Sequence, residues 1–197
     1  MSRRARIFVV TGPSGAGKGT LIKKLAGRRT DLEVAVSATT RPKREGEEEG
    51  RDYYFLDEAE FLARVGRGEF LEHVEYVSGH RYGTLRSEVE RILHHGRNCI
   101  LELETQGARR VKSDLPESIT IFVEAPSYEE LDRRLRARAT ESTGEIEERL
   151  ELARRQTAEA PNFDYRVVNA DLESAVAELA RLIEGVLAAR SETSARS

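Results

Sequence analysis

The sequence predicts an α/β fold in which a central parallel sheet is flanked by helices. Three observations carry that expectation. Short, mostly apolar runs at 7–10, 99–103 and 119–123 have the length and composition of buried parallel strands. They alternate with segments whose apolar residues recur at helical spacing, such as Leu172, Val176, Leu179, Ile183 and Leu187. The first apolar run leads into a glycine-rich segment, Gly12-Pro13-Ser14-Gly15-Ala16-Gly17-Lys18-Gly19-Thr20, which opens a helix. Strands and helices that alternate in this way build a sheet covered on both faces.

The elements follow in order. The strand at 7–10 is bounded by glycine, and Leu21, Ile22 and Leu25 mark a helix over 18–26. Val34 and Val36 suggest a second strand. Residues 41–51 are charged and contain Pro42, Gly46 and Gly50, which reads as a loop. A short strand is expected at 53–55. Asp57 is placed to cap a helix carrying Phe61, Leu62 and Val65, ended by Gly66 and Gly68. Another strand is expected at 70–77, and His94 and His95 lie on a helix. The strand at 99–103 is followed by a helix at 106–112 and a strand at 119–123. Pro126 and Ser127 open a helix through Arg138, and a further helix covers 145–159. A strand at 165–169 precedes the last helix, 172–187, and 191–197 read as a disordered tail. The stretch 39–84 breaks the rhythm with short strands, turns and most of the tyrosines. It reads as an insertion on one domain.

Bulk properties narrow the function classes. Hydrophobic residues make up 39% and charged residues 34%, which suits a soluble domain with a core. The formal net charge of −3 points to neither a nucleic-acid nor an anionic-membrane partner, so any anion site is local. The single cysteine, Cys99, forbids an internal disulfide. With no signal or spanning segment in sight, the expected compartment is the cytoplasm. Oligomeric state leaves no trace in the sequence.

The glycine-rich segment carries the chemistry. A turn between a strand and a helix can aim several backbone N–H groups at one point, and the helix N-terminus adds partial positive charge there. Lys18 can reach the outer phosphates of a nucleoside triphosphate, so the fold is expected to be of the P-loop NTPase type. The general pattern has serine or threonine directly after the lysine, to meet Mg²⁺. Here Gly19 stands there and Thr20 follows.

A set of separated motifs adds the acceptor. GPSGAGKGT (12–20), SATTRPKR (37–44), EGRDYYF (49–55), FLEH (70–73), RYGT (81–84), ILELETQG (100–107), an arginine-rich segment near Arg134, and FDYRVVN (163–169) occur in this order. Together they resemble the guanylate kinase family over almost the whole chain, from about Ile7 to Leu187. The resemblance implies transfer of the γ-phosphoryl group of Mg-ATP to GMP or dGMP. It implies that Gly12 to Thr20 hold ATP, and that Ser37, Arg41, Arg44, Tyr53 and Tyr82 hold the GMP phosphate. Guanidinium groups suit that role because they match phosphate oxygens with paired bonds. Glu72 would accept from the donor edge of guanine and Thr84 would read its O6. Glu102 would help hold GMP, and Glu104, where the family more often has aspartate, would meet Mg²⁺ through water. Arg134, Arg138 and Arg149 would close over the triphosphate, and Asn169 would lie at the adenine. The implied division is a core at 5–38, 85–133 and 150–190, a GMP-binding insertion at 39–84 and a helical lid at 134–149. A phosphate monoester is already largely ionised near neutral pH, so no catalytic base is required. Two other readings stay open here: a kinase of this fold acting on ribose 1,5-bisphosphate, and a non-catalytic module that binds a protein partner.

Overall fold

The structure, a computed structural model, describes residues 5–76, 79–138 and 143–194, without the side chains of 138, 143–145 and 190–194. In chain order the elements are β1 (Ile7–Thr11), α1 (Lys18–Ala26), β2 (Leu32–Val34), β3 (Ala38–Thr39), β4 (Tyr54–Phe55), α2 (Glu58–Gly66), β5 (Phe70–Glu75), β6 (Arg81–Leu85) and α3 (Arg86–His94). Then come β7 (Asn98–Glu102), α4 (Thr105–Asp114), β8 (Ile119–Glu124), α5 (Tyr128–Arg138), α6 (Thr143–Ala158), a 3₁₀ turn at Ala160–Asn162, β9 (Tyr165–Val168) and α7 (Leu172–Ser194).

Five strands form the main sheet in the order β2-β7-β1-β8-β9, and every pair in it is parallel. Alternation along the strands divides the core. Phe8, Val10, Ile100, Ile121 and Val123 face one side, where Leu21, Ile22 and Leu25 of α1 and Val176, Leu179 and Ile183 of α7 cover them. Val9, Cys99, Leu101 and Phe122 face the other side, under Val89 and Ile92 of α3 and Ala108 and Val111 of α4. Burial on both faces is why these strands read as apolar runs rather than as alternating ones.

The insertion forms its own sheet, β4-β3-β6-β5, with β3 and β4 parallel and the other pairs antiparallel. A small cluster of Ala38, Phe61, Phe70 and Leu85 packs it against α2. Asp57 caps α2 as expected, its carboxylate accepting from the Glu60 backbone N–H at 2.7 Å.

Several boundaries differ from the sequence reading. The second strand is Leu32–Val34 and excludes Val36, because the chain leaves the main sheet there for β3. The two-residue β3 shows no pattern to read. The last helix continues past Leu187 to Ser194, where a disordered tail was expected. No glycine or proline interrupts residues 188–194, so nothing stops helix propagation.

Candidate active site

The parallel order brings three strand ends together, since β1 lies between β7 and β8. Ligands of open α/β sheets bind outside the carboxyl ends of such strands. The glycine-rich loop leaves β1, and Glu102 and Glu104 lie at the end of β7 beside it.

Each glycine of the loop that bends unusually has a neighbour that requires it. Gly12 has φ 141°, and a methyl there would lie 2.0 Å from the Val123 carbonyl oxygen. Gly17 has φ 87°, and a methyl there would lie 2.5 Å from Asn169 Nδ2. That same Asn169 amide donates to the Ala16 carbonyl at 2.8 Å. Asn169 thus braces the glycine-rich loop from behind, a long-range contact that no local pattern announces.

Lys18 is 9% exposed, and its ammonium donates to the carbonyls of Gly12 at 2.6 Å and Pro13 at 3.1 Å. Burial lowers its pKa, while the Glu104 and Glu102 carboxylates oppose the shift. Burial also raises the Glu102 carboxyl; Lys18 opposes that shift and Glu104 adds to it. A cation and two acids are therefore packed together at the glycine-rich loop. A methyl on Gly19 would lie 3.3 Å from a Glu102 oxygen, so the residue after Lys18 faces a carboxylate.

Across a cleft of about 570 Å³, the insertion supplies the opposite wall. Ser14, Gly15, Gly17, Lys18, Gly19 and Thr20 line one side of it. Ser37, Tyr53, Glu72 and Tyr82 line the other, and Glu102 and Glu104 its floor. The register of β5 on β6 sets Glu72 opposite Thr84, whose hydroxyl donates to Glu72 Oε1 at 2.8 Å. Glu72 is 6% exposed, although the bare sequence reads it as an ordinary exposed strand position. Burial raises its pKa, and the bonds from Thr84 oppose the shift only in part.

Room for Glu72 comes from Gly107 on α4: a methyl there would lie 2.7 Å from Glu72 Oε2. Alanine normally favours a helix over glycine. Here Gly107→Ala is expected to raise the KM for the acceptor roughly 10- to 100-fold, because it displaces the buried Glu72 carboxylate. Initial-rate kinetics at saturating donor check this, and an unchanged KM would show that Glu72 is not the group read.

Arg41 lies beneath Tyr53, its guanidinium carbon 5.3 Å from the ring centre. Glu47 grips it with two oxygens, at 2.7 and 3.0 Å, and the same carboxylate accepts from the Arg44 backbone N–H at 2.8 Å. Tyr53 and Tyr82 meet edge to face at 5.9 Å. The side chain of Arg44 is exposed and stands outside the cleft lining. Glu47 was not singled out from sequence, since residues 45–49 offer four acids and no periodicity to choose among them.

Two arginines approach the loop from the helices beyond β8. Arg134 donates to Glu130 at 2.7 Å and to the Asn169 carbonyl at 3.0 Å. Arg149 donates to Ser14 Oγ at 3.2 Å. The side chain of Arg138 and residues 139–142 of the expected lid lie outside the described residues.

Tyr76 was also missed, though its signal was present. Residues 72, 74 and 76 share a face in strand alternation, and all three line the cleft.

Comparison with known proteins agrees with this architecture. A family model described as guanylate kinase matches residues 4–186. A guanylate kinase of Rubrobacter xylanophilus is 47% identical over 186 residues, covering 94% of this chain and 97% of its own length. One of Thermus thermophilus is 49% identical over 180 residues, covering 91% of this chain and 81% of its own. Among solved structures, the guanylate kinase of Anaplasma phagocytophilum aligns with a TM-score of 0.75 at 30% identity, over 94% of this chain and 87% of that one.

Proposed function

The chain belongs to the guanylate kinase family, phosphotransferases that use ATP and GMP, and from that premise we propose how its own residues divide the work. The observation that carries the reading is Glu72: a carboxylate kept dry, held by Thr84, and facing the phosphate loop across one cleft. Guanine offers N1 and N2 donors to such a group. Adenine offers none there and would leave the carboxylate unpaired, which discriminates strongly.

On the donor side, the loop N–H groups and Lys18 hold the β- and γ-phosphates. Arg134, Arg138 and Arg149 neutralise charge on the transferring group as they close over it. Ser37, Tyr53 and Tyr82, which line the cleft, would hold the GMP phosphate in line with the donor, with Arg41 and Arg44 reaching in from outside the lining. Its ionised oxygen attacks the γ-phosphorus and ADP leaves, so catalysis rests on positioning and charge rather than on a base. Closure of the insertion toward the core around the bound nucleotides would expel water and keep it from competing as the acceptor.

Mg²⁺ would be met through water by the hard oxygens of Glu104, which lines the cleft with Lys18. Among the described residues no cluster of three or more His, Cys, Asp or Glu forms a cage, so nucleotide phosphates and water would complete the shell. When bound, the cation supplies charge neutralisation across the phosphates. We place the activity in cytoplasmic purine nucleotide metabolism; no described helix is long and apolar enough to cross a membrane.

The test is product analysis. Chromatography of protein incubated with ATP, Mg²⁺ and GMP should show GDP and ADP in equal amounts, with dGMP also accepted. Faster consumption of ribose 1,5-bisphosphate than of GMP would overturn the guanine assignment.

A further inference from the structure

Glu104 is held by two other parts of the molecule at once. Its Oε1 accepts from the Tyr76 hydroxyl at 2.9 Å and its Oε2 from Gln156 Nε2 at 2.5 Å. Tyr76 directly follows β5, in the insertion sheet. Glu104 follows β7 of the main sheet, and Gln156 lies on α6, the helix that also carries Arg149. One carboxylate therefore joins the acceptor wall, the sheet end and the arginine-bearing helix.

Gln156 bears a cost for this. It is 5% exposed, and its Oε1 is buried with no hydrogen-bond partner. A buried polar atom left unpaired is unfavourable, and an apolar side chain of the same size would avoid that. The only side-chain bond that the amide makes among the described residues is the one to Glu104. Turning the amide over would set its oxygen against the carboxylate, so it cannot exchange one defect for a better arrangement. The Tyr76 end is coupled as well. Its ring meets Tyr82 at 4.8 Å, and Tyr82 meets Tyr53 at 5.9 Å, so the hydroxyl ties a three-ring wall to Glu104. Glu104 in turn acts on Lys18 through its charge.

We propose that Tyr76 and Gln156 are positioning residues for phosphoryl transfer, clamping Glu104 so that the acceptor wall and the phosphate loop keep one alignment. The proposal rests on the reading of Glu104 as a group near the phosphates and their cation. Neither residue touches the reacting atoms; both act through the same carboxylate.

Tyr76→Phe removes one hydroxyl and Gln156→Met removes the amide at similar volume. Each is expected to lower kcat about 10-fold and to raise the Mg²⁺ concentration giving half-maximal rate. GMP affinity, measured by calorimetry without metal, should stay within about 2-fold, since a phenylalanine ring keeps the packing on Tyr82 and Gln156 lies outside the cleft lining. The double variant should fall little further than either single one, because one carboxylate carries both effects. Wild-type kcat in both variants, GMP affinity lost in step with kcat, or fully multiplicative effects would each overturn the clamp. A wild-type protein that forms no GDP would instead overturn the reading of the site, and the clamp with it.

Discussion

Lys18→Ala is expected to lower kcat by about 10²- to 10³-fold while the protein stays folded. The lysine sits at the first turn of α1 with its ammonium resting on two carbonyls of its own loop. Its surroundings already work against its charge, because burial lowers its pKa and only the Glu104 and Glu102 carboxylates offset that. A triphosphate would give the ammonium better partners than neutral carbonyls, so binding energy is gained as the nucleotide enters. As charge spreads over the transferring group, the Lys18 ammonium, seated on the Gly12 and Pro13 carbonyls, is placed to meet it. Removal of the side chain relieves its desolvation cost and leaves Glu102 and Glu104 without their neutralising neighbour, two effects that oppose each other in stability. Steady-state rates alongside a far-UV circular dichroism melt separate chemistry from folding. A folded variant with turnover near wild type would remove Lys18 from the mechanism.

Glu72→Gln is the second large effect, and it acts in two directions. The amide places a donor where guanine offers donors, so kcat/KM for GMP should fall about 10²- to 10⁴-fold. Stability should move the other way. The Glu72 carboxyl has a raised pKa in the folded chain because of burial, so folding favours its protonated form. Ionisation then costs stability as pH rises from the ordinary carboxylate range through the raised value, and that cost persists above it. Glutamine does not titrate. The variant should therefore match wild type at acid pH, and its Tm should exceed that of wild type increasingly as pH climbs through this window. Melting curves across the range check the sign. A difference in Tm that does not change with pH would mean that Glu72 is not a desolvated carboxylate.

Much of the fold was legible because its physics is local. Apolar runs announced β1, β7 and β8, and periodicity announced α1 and α7. The glycines of residues 12–17 announced a loop that must bend where side chains cannot. The insertion was harder. β3 has two residues, and the pairing of Glu72 with Thr84 depends on the register of β5 against β6, which no single segment encodes. The candidate site residues came from the family resemblance, which the order of the motifs along the chain supports. Their supports did not: Glu47 on Arg41, Gly107 behind Glu72, Asn169 under Ala16 and Gln156 on Glu104 are long-range or composition-neutral contacts. Asn169 shows the difference clearly: the resemblance implies a place beside adenine, and the structure adds that its side chain buttresses the glycine-rich loop.

A dry carboxylate, Glu72, is proposed to read the acceptor base. The direct measurement is the initial rate of the wild-type protein with Mg-ATP and each of GMP, dGMP, AMP, CMP and UMP in turn. GMP and dGMP should be phosphorylated with kcat/KM at least about 10²-fold above the other three. Equal rates with GMP and AMP would mean that Glu72 does not read the base.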